Sequence, residues 1–151
     1  MLILTESLLK EIEEFALANY PQEGCGLLLG NLTGGENRVQ MIYPVPNSWE
    51  VESEKVIRFR IDDRDMLDAE FTASDRGLDV IGIFHSHSEH PPIASARDLS
   101  WATWPGYSYL ITEVQSGKPG VSRSWQLRHD RTGFDEEKII RQVSTKSSPT
   151  D

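Results

Sequence analysis

The stretch Gly82–Ser100, GIFHSHSEHPPIASARDLS, decides how this chain is read. It continues a nearly all-apolar run, LDVIGIF (Leu78–Phe84), which ends in His85 and His87. Such a run is what a central strand shows. Side chains at i and i+2 share one face of a strand, about 7 Å apart along it. Two imidazoles can therefore converge on one ion from a rigid element. A catalytic zinc site needs three protein ligands and leaves its fourth position to water. Asp98 is the third candidate if the loop Ser88–Ala94 folds back.

The same residues have a reading without any ion. A His-x-His pair at a strand end is commonly exposed. Ser95-x-x-Asp98 is close to a capping box, in which a serine N-cap and an acidic first turn satisfy free helix N–H groups. The two readings are compatible, because a helix start aimed at the histidines would carry Asp98 toward a cation. Glu23, in PQEGCGLLLG, lies between a helix and an apolar strand. It is either a solvated acid at a strand end or, if it faces the same cavity, a general base for a water held by a metal.

Outward from this stretch, the periodicity predicts the remaining elements. Thr5 can cap a helix that places Leu8, Leu9, Ile12, Phe15 and Ala16 on one face, ending near Asn19 or Tyr20 ahead of Pro21. GCGLLLGNL and NRVQMIYPV pair as strands through TGGEN. PNSWEVESE is a polar loop. KVIRFRID alternates as a half-buried strand. DDRDMLDAEFTASDRG is a helix ended by Gly77. SARDLSWATW starts another helix, YSYLITEV is a strand, GKPG a turn, and SRSWQLRH a strand. TGFDEEKIIRQV is ambiguous. STKSSPTD, residues 144–151, is expected to be a disordered polar tail after one domain spanning 1–143. The mix makes an α/β or α+β domain with a mixed sheet.

Composition narrows the function. A chain of 151 residues can bury a core without a disulfide or structural metal, and its one cysteine, Cys25, allows no internal disulfide. That, with no basic leader ahead of an apolar core at the N-terminus, leads to the expectation of a cytoplasmic protein. No apolar run approaches the roughly 20 residues that span a bilayer. A net charge of −9 argues against nucleic acid as a partner.

His85-Ser-His87, seven residues, Ser95, two residues and Asp98, with Glu23 upstream, resembles the JAMM signature of the MPN (Mov34/PAD-1) metallopeptidases. The resemblance extends through VIRFRIDD, LDVIGIFHSH, YSYLITEV and SRSW to about Val143, in the manner of the compact prokaryotic branch. It implies the JAMM/MPN fold, a cytidine-deaminase-like three-layer α/β/α arrangement with a curved mixed sheet. It also implies one Zn²⁺ per chain on His85, His87 and Asp98, with Glu23 as general base and Ser95 hydrogen-bonding the water or the oxyanion. Relatives cleave the amide bond after the Gly-Gly tail of ubiquitin-like or sulfur-carrier proteins, so a protein of that kind is the expected substrate. The other reading is a non-catalytic MPN interaction module. Such modules typically carry a broken metal motif, whereas all five residues are present here. A zinc nucleobase deaminase is excluded, because it needs H-x-E and P-C-x-x-C.

The chain departs from the family pattern at Ser88 and Ala94, where proline is usual, and has Pro91 and Pro92 inside the loop instead. Cys25 reads as a small buried apolar residue. His90 and His129 read as exposed, although His90 lies close enough in sequence to reach a metal when no substrate is bound.

Overall fold

The structure is a computed structural model, and it describes residues 1–95, 98 and 104–143. Along the chain run β1 (Leu2–Thr5), α1 (Glu6–Asn19), β2 (Cys25–Thr33), β3 (Glu36–Val45), a 3-10 turn (Glu52–Glu54), α2 (Asp63–Asp75), β4 (Asp79–Ser88), β5 (Ser108–Gln115), β6 (Lys118–Leu127), β7 (Phe134–Glu137) and β8 (Ile139–Gln142). The strands form one eight-stranded sheet in the order β7-β6-β5-β4-β2-β3-β1-β8. The sheet is mixed: β4 runs parallel to β5, and β1 parallel to both β3 and β8, while the other neighbours are antiparallel.

Each face of the sheet carries one of the two described helices. Leu9 and Ile12 of α1 pack with Leu28, Ile81, Phe84 and Leu110, Ile81 joining Phe84 on this face because β4 bulges there. The other face presents Cys25, Leu27, Leu29, Ile83 and Tyr109, and packs against Ala69 and Ala73 of α2. The chain thus has the three-layer α/β/α form with the sheet in the middle.

The sheet is strongly curved. Its two outermost strands, β7 and β8, are joined by the single residue Lys138, so its edges come within one residue of each other. Asn37 of β3 donates to Ser108 Oγ of β5 at 2.8 Å, although β2 and β4 lie between those strands. Three strand spacings in a flat sheet would be about 14 Å. Register shifts at Leu28/Leu29, Leu29/Gly30 and Thr112/Val114 place an extra residue on β4, β3 and β6 respectively and bend those strands.

Most predicted elements are present. Thr5 caps α1 by accepting from Leu8 N–H at 3.1 Å, and Gly77, at φ +69°, follows the end of α2. The β2–β3 hairpin turns through Thr33–Glu36 as expected. The β5–β6 turn falls on Ser116 and Gly117, both at positive φ, one residue ahead of GKPG, so Lys118, Pro119 and Gly120 already belong to β6.

Two departures have clear causes. KVIRFRID is not a strand. Its backbone is taken up by side chains: Asn47 donates to Arg58 O and accepts from Arg60 N, and Ser48 bonds Arg60 O through both N–H and Oγ. Only Phe59 of its apolar residues is buried, while Ile57 is exposed. MLIL, by contrast, is a strand. Leu2–Leu4 are buried between β3 and β8, and β8 itself comes from the ambiguous TGFDEEKIIRQV. Both are four-residue strands, too short to show a period. The predicted tail 144–151, and most of the helix predicted from Ser95, lie outside the described residues.

Candidate metal centre

The β2–β4 register builds the site. Cys25 lies opposite His85, Gly26 opposite Phe84, and the same antiparallel count carried two residues on puts Glu23 beside His87. Directly opposed residues share a face of a sheet, so Glu23, Cys25, His85 and His87 all point to the α2 side. Ser86, on the other face, locks the junction. Its N–H donates to Gly24 O at 3.0 Å, and its Oγ accepts from Gly24 N–H at 2.8 Å. Asn47 holds the same corner from outside, donating to Glu23 O at 3.0 Å as well as to Arg58 O. Glu23 N–H donates to Lys55 O at 2.7 Å. Glu23 is therefore a buried acid, 2% exposed, whose backbone is held by Asn47 and Lys55 and whose neighbour Gly24 is held by Ser86.

His85, His87 and Asp98 converge. His85 Nε2 is 3.2 Å from His87 Nε2 and 3.1 Å from Asp98 Oδ1, and His87 Nε2 is 3.4 Å from Asp98 Oδ2. His87 Nδ1 lies 2.7 Å from Pro91 O, and a carbonyl only accepts, so the proton sits on Nδ1 and the neutral ring turns its lone pair out through Nε2. This pairing with a backbone carbonyl is the usual way a metal-ligating histidine is oriented. Phe59 stacks on His85 at 4.4 Å between ring centroids and fixes its plane. His85 Nδ1 is buried without a hydrogen-bond partner among the described residues.

Ser95 and Asp98 form the reciprocal cap expected from their spacing. Asp98 Oδ2 accepts from Ser95 N–H at 2.7 Å and from Ser95 Oγ at 2.9 Å, while Ser95 Oγ accepts from Asp98 N–H at 3.1 Å. Burial opposes charge on Asp98, but the adjacent His85 and His87 and the Ser95 N–H outweigh it and hold the carboxyl well below the usual carboxylate range.

Two imidazole nitrogens and a carboxylate thus meet with their acceptor atoms 3.1–3.4 Å apart. Four ligands held tetrahedrally at the usual bond lengths of about 2.0–2.1 Å stand about 3.3 Å from one another. The donor set and its spread fit a divalent metal ion that prefers nitrogen and oxygen ligands. A carboxylate oxygen of Glu23 lies within 4.8 Å of a ring nitrogen of His87, so an acid–base group adjoins this cluster.

His90 differs from its expected exposure. It is half-buried, stacks on His87 at 4.2 Å, and sets Nδ1 2.8 Å from Ser88 O. Burial, then His87, lowers its pKa. Its loop is held at Glu89, which has φ +65°, accepts from Tyr20 OH and from Ser116 N–H at 2.8 Å, and donates its own N–H to Val114 O. Trp125 Nε1 donates to Pro92 O at 3.0 Å farther along. These tethers come from distant parts of the chain, which is why sequence spacing does not reveal them. His129 is exposed, as expected. Cys25 is fully buried, and burial, Glu23 and Asp65 push its thiol up to about 12, so it stays protonated and inert at neutral pH.

On the side of His85 and Asp98 opens a cavity of about 260 Å³, walled by Phe59, Ile61, Met66, Ile83, Tyr109 and Phe134 among others. Glu23, His87 and His90 are not part of its wall. The site is therefore two-sided, with an acid and imidazoles on one flank and an apolar recess on the other.

Fold and site together define a compact mixed α/β protein with a histidine–aspartate cluster that could hold a metal ion and an adjoining buried glutamate. Residues 5–128 match the model of the prokaryotic homologues of the JAB domain, and the chain belongs to that family. Among curated proteins it is 34% identical over 106 residues, 70% of this chain and 73% of the relative, to a desampylase of Haloferax volcanii. A desampylase of Pyrococcus furiosus is 33% identical over 119 residues, 78% of this chain and 75% of the relative. A probable TtuB-protein conjugate cleaving protease of Thermus thermophilus is 30% identical over 104 residues, 69% of this chain and 65% of the relative. The solution structure of a Desulfitobacterium hafniense protein matches with a TM-score of 0.81 and 33% identity, covering 97% of this chain and 96% of the other. A JAB1/MPN domain protein of Archaeoglobus fulgidus, at 21% identity and a TM-score of 0.60, covers 94% of this chain and 99% of the other and shares the fold. Among the described residues no helix is long and apolar enough to cross a membrane.

Proposed function

We propose that this chain is a zinc-dependent isopeptidase that hydrolyses the amide bond after the C-terminal Gly-Gly tail of a ubiquitin-like or sulfur-carrier protein. The observation that carries this reading is the convergence of His85 Nε2, His87 Nε2 and Asp98 within 3.1–3.4 Å, with the Glu23 carboxylate close to His87. The names of the related desampylases and of the conjugate-cleaving protease support the substrate class.

Zn²⁺ on His85, His87 and Asp98 would supply Lewis acidity, activating water near neutral pH and polarising the scissile carbonyl. Glu23 takes the proton of the attacking water and delivers it to the leaving amine. Its burial and its pinned backbone fix where that proton is handed over. Ser95 first orients Asp98, since its single hydroxyl proton is directed to Oδ2 at 2.9 Å. Turning from Oδ2 to the developing oxyanion lets it stabilise the tetrahedral state, an effect worth about 3 kcal/mol for comparable donors. Glycines suit the tail because residues without side chains pass a narrow entrance.

Glu23→Gln separates binding from chemistry. The variant should hold one zinc per chain, as wild type does, and cleave a Gly-Gly-linked conjugate at least 100-fold more slowly, within the range lost with a general base. Full activity would overturn the role of Glu23. Failure of the wild-type chain to bind zinc would overturn the hydrolase reading itself.

A further inference from the structure

Asn47 commits its whole amide to main-chain groups around the site. Nδ2 donates to Glu23 O at 3.0 Å and to Arg58 O at 2.9 Å, and Oδ1 accepts from Trp49 N–H at 3.1 Å and from Arg60 N–H at 3.2 Å. An asparagine amide has two donor protons and two acceptor lone pairs, so its capacity is used in full. Glu23 is the buried acid beside His87. Arg58 and Arg60 flank Phe59, whose buried ring stacks on His85 at 4.4 Å and 25° between ring planes. One side chain thus grips the main chain of the acid and frames the residue that backs a candidate metal ligand.

We propose that Asn47 is a positioning residue for the hydrolysis: it sets the reach of the Glu23 carboxylate from the metal cluster by tying the Glu23 main chain to the segment that orients His85. This rests on the reading of Glu23 as the acid–base group and deepens it. A base must stand within about 2.6–3.2 Å of the proton it takes, so small displacements matter. Glu23 precedes β2, which begins at Cys25, and both of its main-chain groups are held instead by the segment between β3 and α2. Asn47 takes the carbonyl, and Lys55 O accepts the N–H at 2.7 Å. Asn47 also locks that segment internally, through Trp49, Arg58 and Arg60. Its engaged amide has nothing left to offer substrate, so it acts through Glu23 and Phe59.

A double-mutant cycle with Glu23→Gln tests this. Asn47→Ala should lower kcat on a Gly-Gly-linked conjugate by roughly 10- to 100-fold, the range for a displaced reacting group, with KM within about twofold. One zinc per chain should remain by equilibrium dialysis. In the Glu23→Gln background the same change should lower kcat less than about threefold, because no base is left to misplace. Ser48 supplies the control. It bonds Arg60 O through its N–H at 2.9 Å and its Oγ at 3.0 Å, so Ser48→Ala loosens the same segment without releasing Glu23 O. That variant should lose stability and keep kcat near wild type. Asn47→Asp, which keeps the acceptor oxygen and loses the donations when ionised, serves where Asn47→Ala does not fold. In the metal-free protein, the His85 ring protons, shielded by the face of Phe59, should move downfield in either Asn47 variant and hold their place in Ser48→Ala. Equal losses of kcat in both backgrounds, an unchanged kcat, or unmoved His85 signals would overturn the role of Asn47. They would leave the hydrolase reading standing, because that falls only if the wild type binds no zinc, and the base assignment falls only if Glu23→Gln keeps the wild-type rate.

Discussion

Ser86 lies between the two histidines and faces away from them, yet it sets the geometry they depend on. Its hydroxyl accepts from the buried Gly24 N–H and its own N–H donates to Gly24 O, so it joins β4 to the residue next to Glu23. Ser86→Ala leaves that N–H without an acceptor, a loss of about 1–3 kcal/mol. A thermal or denaturant titration should show that drop. Zinc stoichiometry should stay at one per chain while the cleavage rate falls, because the ligands remain and only the base is loosened. A variant with wild-type stability and rate would show that Gly24 is held by other means. The grouping of Glu23, His85, His87, Ser95 and Asp98 is legible in the sequence because their combined spacing resembles a family signature, whereas the His pair and the Ser-x-x-Asp cap taken singly fit an exposed strand end and a helix start. Ser86, Asn47 and the inward turn of His90 are not legible. Each acts through contacts between residues far apart in the chain, and a serine, an asparagine or a third histidine carries no sign of which backbone group it will meet.

Among the elements, β2 carries the most constraint. It lies between β3 and β4 and begins two residues after Glu23, which adjoins the proposed metal ligands. Gly26 shows how tightly it is packed. A Cβ there would meet the Phe84 ring at 2.4 Å and Tyr43 O at 2.6 Å, and the second of these is backbone that cannot swing aside. Gly26→Ala should therefore displace β2, at a cost of about 1–3 kcal/mol for overpacking, and shift the Cys25–His85 register that aligns Glu23. Lower stability together with weaker catalysis, both read on purified protein, is the expected outcome. A stable and fully active variant would mean that the sheet can bend around the methyl group. Long elements are visible in the sequence, α1 by the period of its apolar face and β4 by its nearly all-apolar run. The stretch Lys55–Asp62 looks like a strand by the same test and is not one. Alternation records the order of apolar and polar side chains, but not whether the backbone finds a neighbouring strand, and here Asn47 and Ser48 bond the backbone first.

At the scale of the molecule, β1 and β8 complete the sheet. Leu2–Thr5 pair with Ile139–Gln142 along their whole length, and Leu2 N–H donates to Lys138 O at 2.9 Å. Buried Leu2, Ile3 and Leu4 should therefore exchange their amide hydrogens as slowly as the central strands, rather than at the rate of a frayed end. Hydrogen exchange followed residue by residue tests this, and fast exchange at Leu2–Leu4 would show that β1 detaches. These short strands were invisible in the sequence because their order comes from docking against partners already in place. Lys138 has one more consequence. Because β7 and β8 are the two margins of the sheet and only this residue separates them, the layer resembles a hoop with a single clasp. Cleavage after an exposed lysine at that point would turn the hoop into a ribbon with two loose ends. Resistance of this one bond to trypsin thus gauges how firmly the entire barrel-like wall is shut.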